Sequence, residues 1–218
     1  ETLVIISPHA QMYPDAFTGH MASEYTGTMK EFGDHETTIK AKTDFLLLDH
    51  IHREMRHQQI PFTLTSQEEL DYGFAVPLLL LTKQLQKWRL IPLSTSLLSP
   101  QQHVDFGKQL KQSLHAEEKR VAVIASADLS HHANSQSPHG VTEEGQMFDT
   151  VTREKISSMD TQGLLSLDRT TVEQSGQCGY LPILVLMGAL EHLNVTPKEL
   201  CYEAPFGVGY LTESFLFA

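Results

Sequence analysis

Two histidines and one cysteine stand where side chains can do chemistry. His9 follows the β-branched apolar run Thr2-Leu-Val-Ile-Ile6 through Ser7 and Pro8. His131 follows Val121-Ala-Val-Ile-Ala125 through Ser126-Ala-Asp-Leu-Ser130. Such runs read as strands buried on both faces of a parallel sheet, and open α/β sheets bind ligands beyond the carboxyl ends of their strands. Imidazole is both a metal ligand and a proton carrier near neutral pH. A single histidine past a strand is more often a loop side chain that caps a helix or meets water; two at equivalent strand ends favour a site. Asp128, three residues before His131, is spaced to orient that ring or accept its second N–H. Cys178 lies in Gly176-Gln-Cys-Gly179, just ahead of an apolar segment. A helix N-terminus favours the thiolate, which suits a metal ligand or a nucleophile; a small buried hydrophobe is an equal alternative.

The rest of the twelve histidines divide differently. His50, His52, His57, His103 and His115 fall on amphipathic segments and read as surface or boundary residues. His20 and His35 flank a glycine-bearing segment that could cover a site, and His132 reads as a solvated neighbour of His131. Cys201, in a strand segment, reads as a buried hydrophobe. The sequence has no C-x-x-C, HExxH, P-loop, GxGxxG or GxSxG pattern, so common zinc, nucleotide and serine-hydrolase signatures are absent.

The elements that must position these residues alternate in type. Asp44 to Gln59 has helical spacing at Phe45, Leu48, Ile51 and Met55, with Asp44 as cap and Pro61 as stop. Phe74 to Lys87 is a second helix, which requires Pro77 in its first turn. Leu90 to Ser94 is a short strand. Ser99-Pro-Gln-Gln102 is a capping box opening a helix that aligns Phe106, Leu110 and Leu114. Glu143 to Ser157 is amphipathic, with Phe148 and Val151 inside, and Leu181 to Leu193 is apolar and helical. Leu200 to Tyr202 and Val208 to Phe217 read as strands. Together they predict one α/β/α layered domain over 1–218 with a largely parallel central sheet and C-terminal strands. The chain opens at Glu1 directly into a central strand, so an upstream strand is expected to be missing.

The 218 residues carry 16 Lys+Arg against 27 Asp+Glu, a formal charge of -11, which argues against nucleic-acid binding. Apolar runs such as Phe74 to Leu81 are too short to span a bilayer. Two cysteines cannot build a disulfide framework, and a reducing cytoplasm is the expected compartment.

Val4-Ile-Ile-Ser-Pro-His9, Leu70-Asp-Tyr-Gly-Phe-Ala-Val-Pro-Leu78, Ala125-Ser-Ala-Asp-Leu-Ser-His131, the segment Glu173 to Gly179, and Tyr202-Glu-Ala-Pro-Phe-Gly-Val-Gly-Tyr210 together resemble the class III extradiol ring-cleavage dioxygenases of LigB type. The likeness covers nearly the whole chain and is nearest to the bacterial Memo-like branch tied to AMMECR1-type domains. It implies a non-haem Fe(II) held by two histidines and a carboxylate, acting on a small catecholic aromatic. By that resemblance His9 matches a metal histidine, His131 the acid/base histidine with Asp128 beside it, and Cys178 the third ligand position, where ring-cleaving members carry glutamate and the Memo-like branch cysteine. The other metal histidine would lie upstream of Glu1. Tyr72 stands where the family has histidine; it can hydrogen-bond a substrate oxygen but cannot carry protons near pH 7. A thiolate ligand also brings Zn or Cu into consideration beside iron. The functions implied are ring cleavage, a Memo-like metal- or peptide-binding or redox role, or a fold whose cleft is empty. A small second subunit or an AMMECR1-type domain is the implied partner.

Overall fold

Thr2–Ser7 is an apolar strand because it has a parallel neighbour on each side and a covered layer above and below. The computed structural model describes residues 1–115 and 117–217. It runs β1 (Thr2–Ser7), β2 (Phe17–His20), β3 (Glu24–Met29), β4 (Asp34–Lys42) and α1 (Phe45–His57). Next come β5 (Phe62–Thr65), β6 (Glu69–Leu70), α2 (Tyr72–Leu81), β7 (Arg89–Ser94), α3 (Pro100–His115) and β8 (Val121–Ala125). Then follow α4 (Glu143–Ser157), α5 (Thr161–Leu165), α6 (Arg169–Gln174), α7 (Tyr180–Leu190), β9 (Val195–Glu203) and β10 (Tyr210–Phe217).

The main sheet has the order β5-β2-β7-β1-β8. β1 pairs in parallel with β7 and β8, and β2 with β5; the β2–β7 pairing is antiparallel. Alternate residues of β1 serve two cores. Val4 and Ile6 pack with Leu48 and Ile51 of α1, Phe106 and Leu110 of α3 and Val185 of α7. Leu3 and Ile5 pack on the other side, with Phe74 and Leu78 of α2 and with Tyr25 and Ala41 of the small sheet β4-β3-β6. The layers are therefore α/β/α, with part of the second outer layer made by that small sheet. β9 and β10 form a separate antiparallel hairpin, and Tyr202, Leu211 and Phe215 close a third cluster with α4 and α7.

Several details depart from the expectations. β8 is the edge of the main sheet and is only half-buried, because among the described residues no strand pairs with its outer side. The α1 face is Leu47, Leu48, Ile51 and Met55, with Phe45 exposed; Asp44 caps the helix by accepting the Leu47 N–H. α2 begins two residues early because the Asp71 side chain caps it by accepting the Gly73 N–H at 2.7 Å. Pro77 thus lies in the second turn, and the helix stops at Leu81. The Ser99–Gln102 capping box forms reciprocally, as its sequence requires. α7 starts at Tyr180 and ends at Leu190. Within α4, Ile156 is buried and Val151 half-buried. Cys201 is exposed, since the β9–β10 hairpin turns one side to solvent.

His20 covers no site. It is buried in β2, with Nδ1 on Thr65 Oγ1 at 2.9 Å and Nε2 on Ser94 Oγ at 2.8 Å. His35 lies exposed on β4. His103 is also buried, with Nδ1 on Ser99 O and Nε2 accepting the Ser96 N–H. Helical position alone could not show that the segment Ser94–Ser99 folds over it. Burial pushes the His20 imidazole from 6.5 down to about 4. Below pH 6.5 the unfolded chain takes up a proton that the folded chain refuses until about pH 4. The stability from a neutral His20 is therefore complete above pH 6.5 and falls with acidification, by about 2 kcal/mol at pH 5. Urea titrations at pH 7.5 and pH 5 should show this drop, and His20→Gln should flatten it. An equal drop in that variant would refute the assignment.

No helix among the described residues is long and apolar enough to cross a membrane.

Candidate active site at the carboxyl edge of the sheet

The site forms where β1 and β8 end side by side. His9 leaves β1 two residues past Ser7, and the loop after β8 carries Asp128 and His131. That loop is stitched down at several points. The His131 N–H donates to Ser175 O, the Leu129 N–H to Gly209 O, the Gly209 N–H to Ser130 O at 2.8 Å, and the Ser130 N–H to the buried Asp149 Oδ1 at 2.7 Å. Asp149 in turn accepts the Tyr202 hydroxyl at 2.6 Å. Strand, helix and hairpin therefore hold a segment that has no regular structure of its own.

Cys178 precedes α7, whose N-cap is Gly179. Its Sγ accepts the Asp128 N–H at 3.1 Å. A Cβ on Gly179 would come to 2.7 Å from Asp128 O, so glycine there lets the two loops meet. One ligand atom each from Asp128, His131 and Cys178 lies within 4.8 Å of the others. Asp128 Oδ2 is 3.6 Å from His131 Nε2, beyond hydrogen-bond distance, and among the described residues the buried Nε2 has no hydrogen-bond partner. His9 stands outside this cluster, with its ring 4.5 Å from that of Tyr72. Tyr72 is the first residue of α2, and Phe32 meets its ring edge-on at 5.6 Å. His132 bonds Gly140 O through Nδ1.

Electrostatics tie these groups together. Burial raises the Asp128 carboxyl, against the opposing pull of His131 and His9. Burial pushes the Cys178 thiol up to about 11, and Asp128 adds to the rise. Without a cation the thiol stays protonated despite its place before α7, because desolvation outweighs the Asp128 N–H that it accepts. Burial, then Cys178, Asp128, Asp71 and Glu31, raise the Tyr72 hydroxyl, which stays a donor.

Asp71 and Tyr210 are site residues that the motif reading passed over. Asp71 Oδ1 caps α2, while its buried Oδ2 has no hydrogen-bond partner among the described residues and burial raises its carboxyl. The Tyr210 hydroxyl feels both Asp128 and Cys178. Both stood inside quoted motifs; only the cap and the hairpin geometry show which way they count.

The Cys178 thiol and the Asp128 carboxylate fit a divalent cation, with His9 near enough to act on Asp128; burial is the main cause that keeps the thiol's proton on, and a bound cation would displace it. Cys178→Ser tests that fit. With Co(II) as probe, the parent protein should show sulfur-to-cobalt charge-transfer absorption, and the variant should lose it with unchanged circular dichroism. An identical cobalt spectrum in the variant would remove Cys178 from the ligand set.

The family model for the catalytic LigB subunit of aromatic ring-opening dioxygenase matches residues 1–212. The chain belongs to this family. Protein CA_C1420 of Clostridium acetobutylicum is 27% identical over 218 residues, which cover 96% of this chain and 47% of that protein. The LigB chain thus spans about half the length of that relative. The crystal structure of uncharacterized protein JW3007 from Escherichia coli K12 shares the fold, with TM-score 0.65 at 17% identity, covering 97% of this chain and 84% of that one.

Proposed function

We propose that this LigB-family chain is a metal-dependent oxidoreductase that opens the ring of a small catecholic aromatic, with His131 as acid and base. The supporting observation is the buried, unpartnered His131 Nε2 in the same cluster as the Cys178 thiol and the Asp128 carboxylate. A buried polar atom without a partner costs stability, so the site is built for a ligand that satisfies it. His9 and Cys178 are the residues proposed to hold Fe(II). When bound, Fe(II) would supply a Lewis acid able to take both catechol and dioxygen. The chain's own residues do the rest. Asp128, 3.6 Å from His131 Nε2, favours a positive charge on that ring, and Nε2 accepts the substrate hydroxyl proton and later returns it. The Tyr72 hydroxyl donates to a substrate oxygen, and the paired His9 and Tyr72 rings form an aromatic wall.

Loading the full chain with Fe(II) under nitrogen, then admitting air with a panel of catechols, tests this reading. A ring-opened product with its own visible absorption is expected. A metal-loaded protein that leaves every catechol intact would end it. That outcome would favour a Memo-like metal- or redox-binding role, for which the specific observation is a cysteine in the ligand cluster, since thiolate favours Zn or Cu(I).

A further inference from the structure

Asp149 is a carboxylate on the inner face of α4, buried with Phe148, Thr152 and Ile156 and only 2% exposed. Burying a carboxylate is costly, and an apolar residue of similar size at such a position is often neutral or stabilising, so packing alone does not account for it. Both of its oxygens are used. Oδ1 accepts the Ser130 N–H at 2.7 Å, and Oδ2 accepts the Tyr202 hydroxyl at 2.6 Å. One donor belongs to the loop after β8, the other to β9. Tyr202 is braced in turn: the Arg153 guanidinium, paired with Glu199 at 2.8 Å, lies 4.1 Å over its ring. A Cβ on Gly209 would overlap Asp149 Oδ2, so the chain entering β10 reaches the carboxylate through a glycine.

Ser130, the residue before His131, is 0% exposed. Its carbonyl accepts the Gly209 N–H at 2.8 Å. Its hydroxyl donates to Ser175 O at 3.0 Å and accepts the His132 N–H at 2.9 Å. Those three partners are main-chain atoms, which side-chain substitutions leave in place. Among the described residues, the bond to Asp149 is the one from Ser130 that ends on a side chain. It fixes the peptide plane that feeds into His131, and so the direction in which the imidazole leaves the loop. A reacting group displaced by about 1 Å can lose about 10²-fold in rate.

Resting on the acid–base role given to His131 above, we propose that Asp149 is the positioning residue of His131, held to that task by Tyr202, so that the β9–β10 hairpin is part of the active-site frame. NMR of the isotope-labelled, metal-free full chain tests the placement without any substrate. The His131 ring signal is assigned by its absence in His131→Ala, and the buried His20 and His103 serve as controls. In Asp149→Ala the His131 signal should split or broaden about twofold or more, with both controls unchanged. Asp149→Asn keeps an acceptor for the Ser130 N–H and should restore the single sharp signal. In the Fe(II)-loaded chain, Asp149→Ala should lower kcat about tenfold with KM within about threefold of the parent, and Asp149→Asn should recover most of it. Should Asp149→Ala fail to fold, Tyr202→Phe, which removes one hydroxyl, should broaden the His131 signal alone. An unaltered His131 signal overturns the proposal. So does broadening shared with His20 and His103, which makes Asp149 a general structural residue. A displaced ring with unchanged kcat overturns the link to catalysis. The expected signals in a parent that opens no catechol overturn the catechol reading and leave the placement of His131 standing.

Discussion

His131→Ala is expected to lower ring-cleaving turnover about 10³-fold while leaving the fold and the metal content intact. The magnitude follows from losing a proton carrier placed at the reacting oxygen. Its main chain is held from two sides, the His131 N–H donating to Ser175 O and the Ser137 hydroxyl donating to His131 O at 2.7 Å, while the ring has Asp128 3.6 Å from Nε2. Removing the imidazole breaks none of the backbone bonds, so circular dichroism and thermal unfolding should match the parent. The pH–rate profile should lose the limb that the histidine contributes. A variant within tenfold of the parent would deny His131 the acid–base role. Loss of metal together with activity would make it a ligand instead, an outcome that its place in the three-residue cluster makes worth measuring.

Gly188→Val is expected to cost about 3 kcal/mol or more, the largest stability effect of any single change argued for this chain. α3 and α7 cross with almost no side chain between them. A Cβ on Gly188 would overlap the Val104 backbone carbonyl, and one on Gly107 would overlap that of Val185. The obstacles are main-chain atoms, which cannot rotate away. α7 also packs against β8 and β1 and is the helix that follows Cys178. Pushing it outward should therefore weaken cobalt binding as well as stability. Urea unfolding of the variant measures the first effect and the cobalt spectrum the second. A loss below about 1 kcal/mol would mean that the crossing relaxes at little cost.

The main features of the fold were legible where sequence carried a long or doubly buried pattern. β1 declared itself through Leu3-Val4-Ile5-Ile6, since only a strand covered on both faces spends four consecutive apolar residues. α4 was legible over Glu143–Ser157, and the α3 capping box through Ser99, Pro100 and Gln102. β2, four residues containing a glycine and a histidine, was not, because so short a run has no measurable period. β4 hid its strand behind charged and polar residues, which its half-exposed small sheet tolerates. The Asp71 cap was masked by Pro77, which seemed to demand a later start for α2. Within the site, Asp128 beside His131 was legible from their spacing after β8, whereas Cys178 joining that pair, His9 standing outside the cluster, and the places of Asp71 and Tyr210 needed three-dimensional neighbours. Burial also reversed one expectation: the Cys178 thiol is pushed up to about 11, although it lies at a helix start.

The most direct test of the central claim is elemental analysis of the full chain purified without chelator and then loaded anaerobically with Fe(II). The proposed function predicts about one equivalent of metal per chain, reduced in Cys178→Ser and retained in His131→Ala. A parent protein that stays metal-free after loading, with its fold intact, would contradict a metal-dependent site at the ends of β1 and β8.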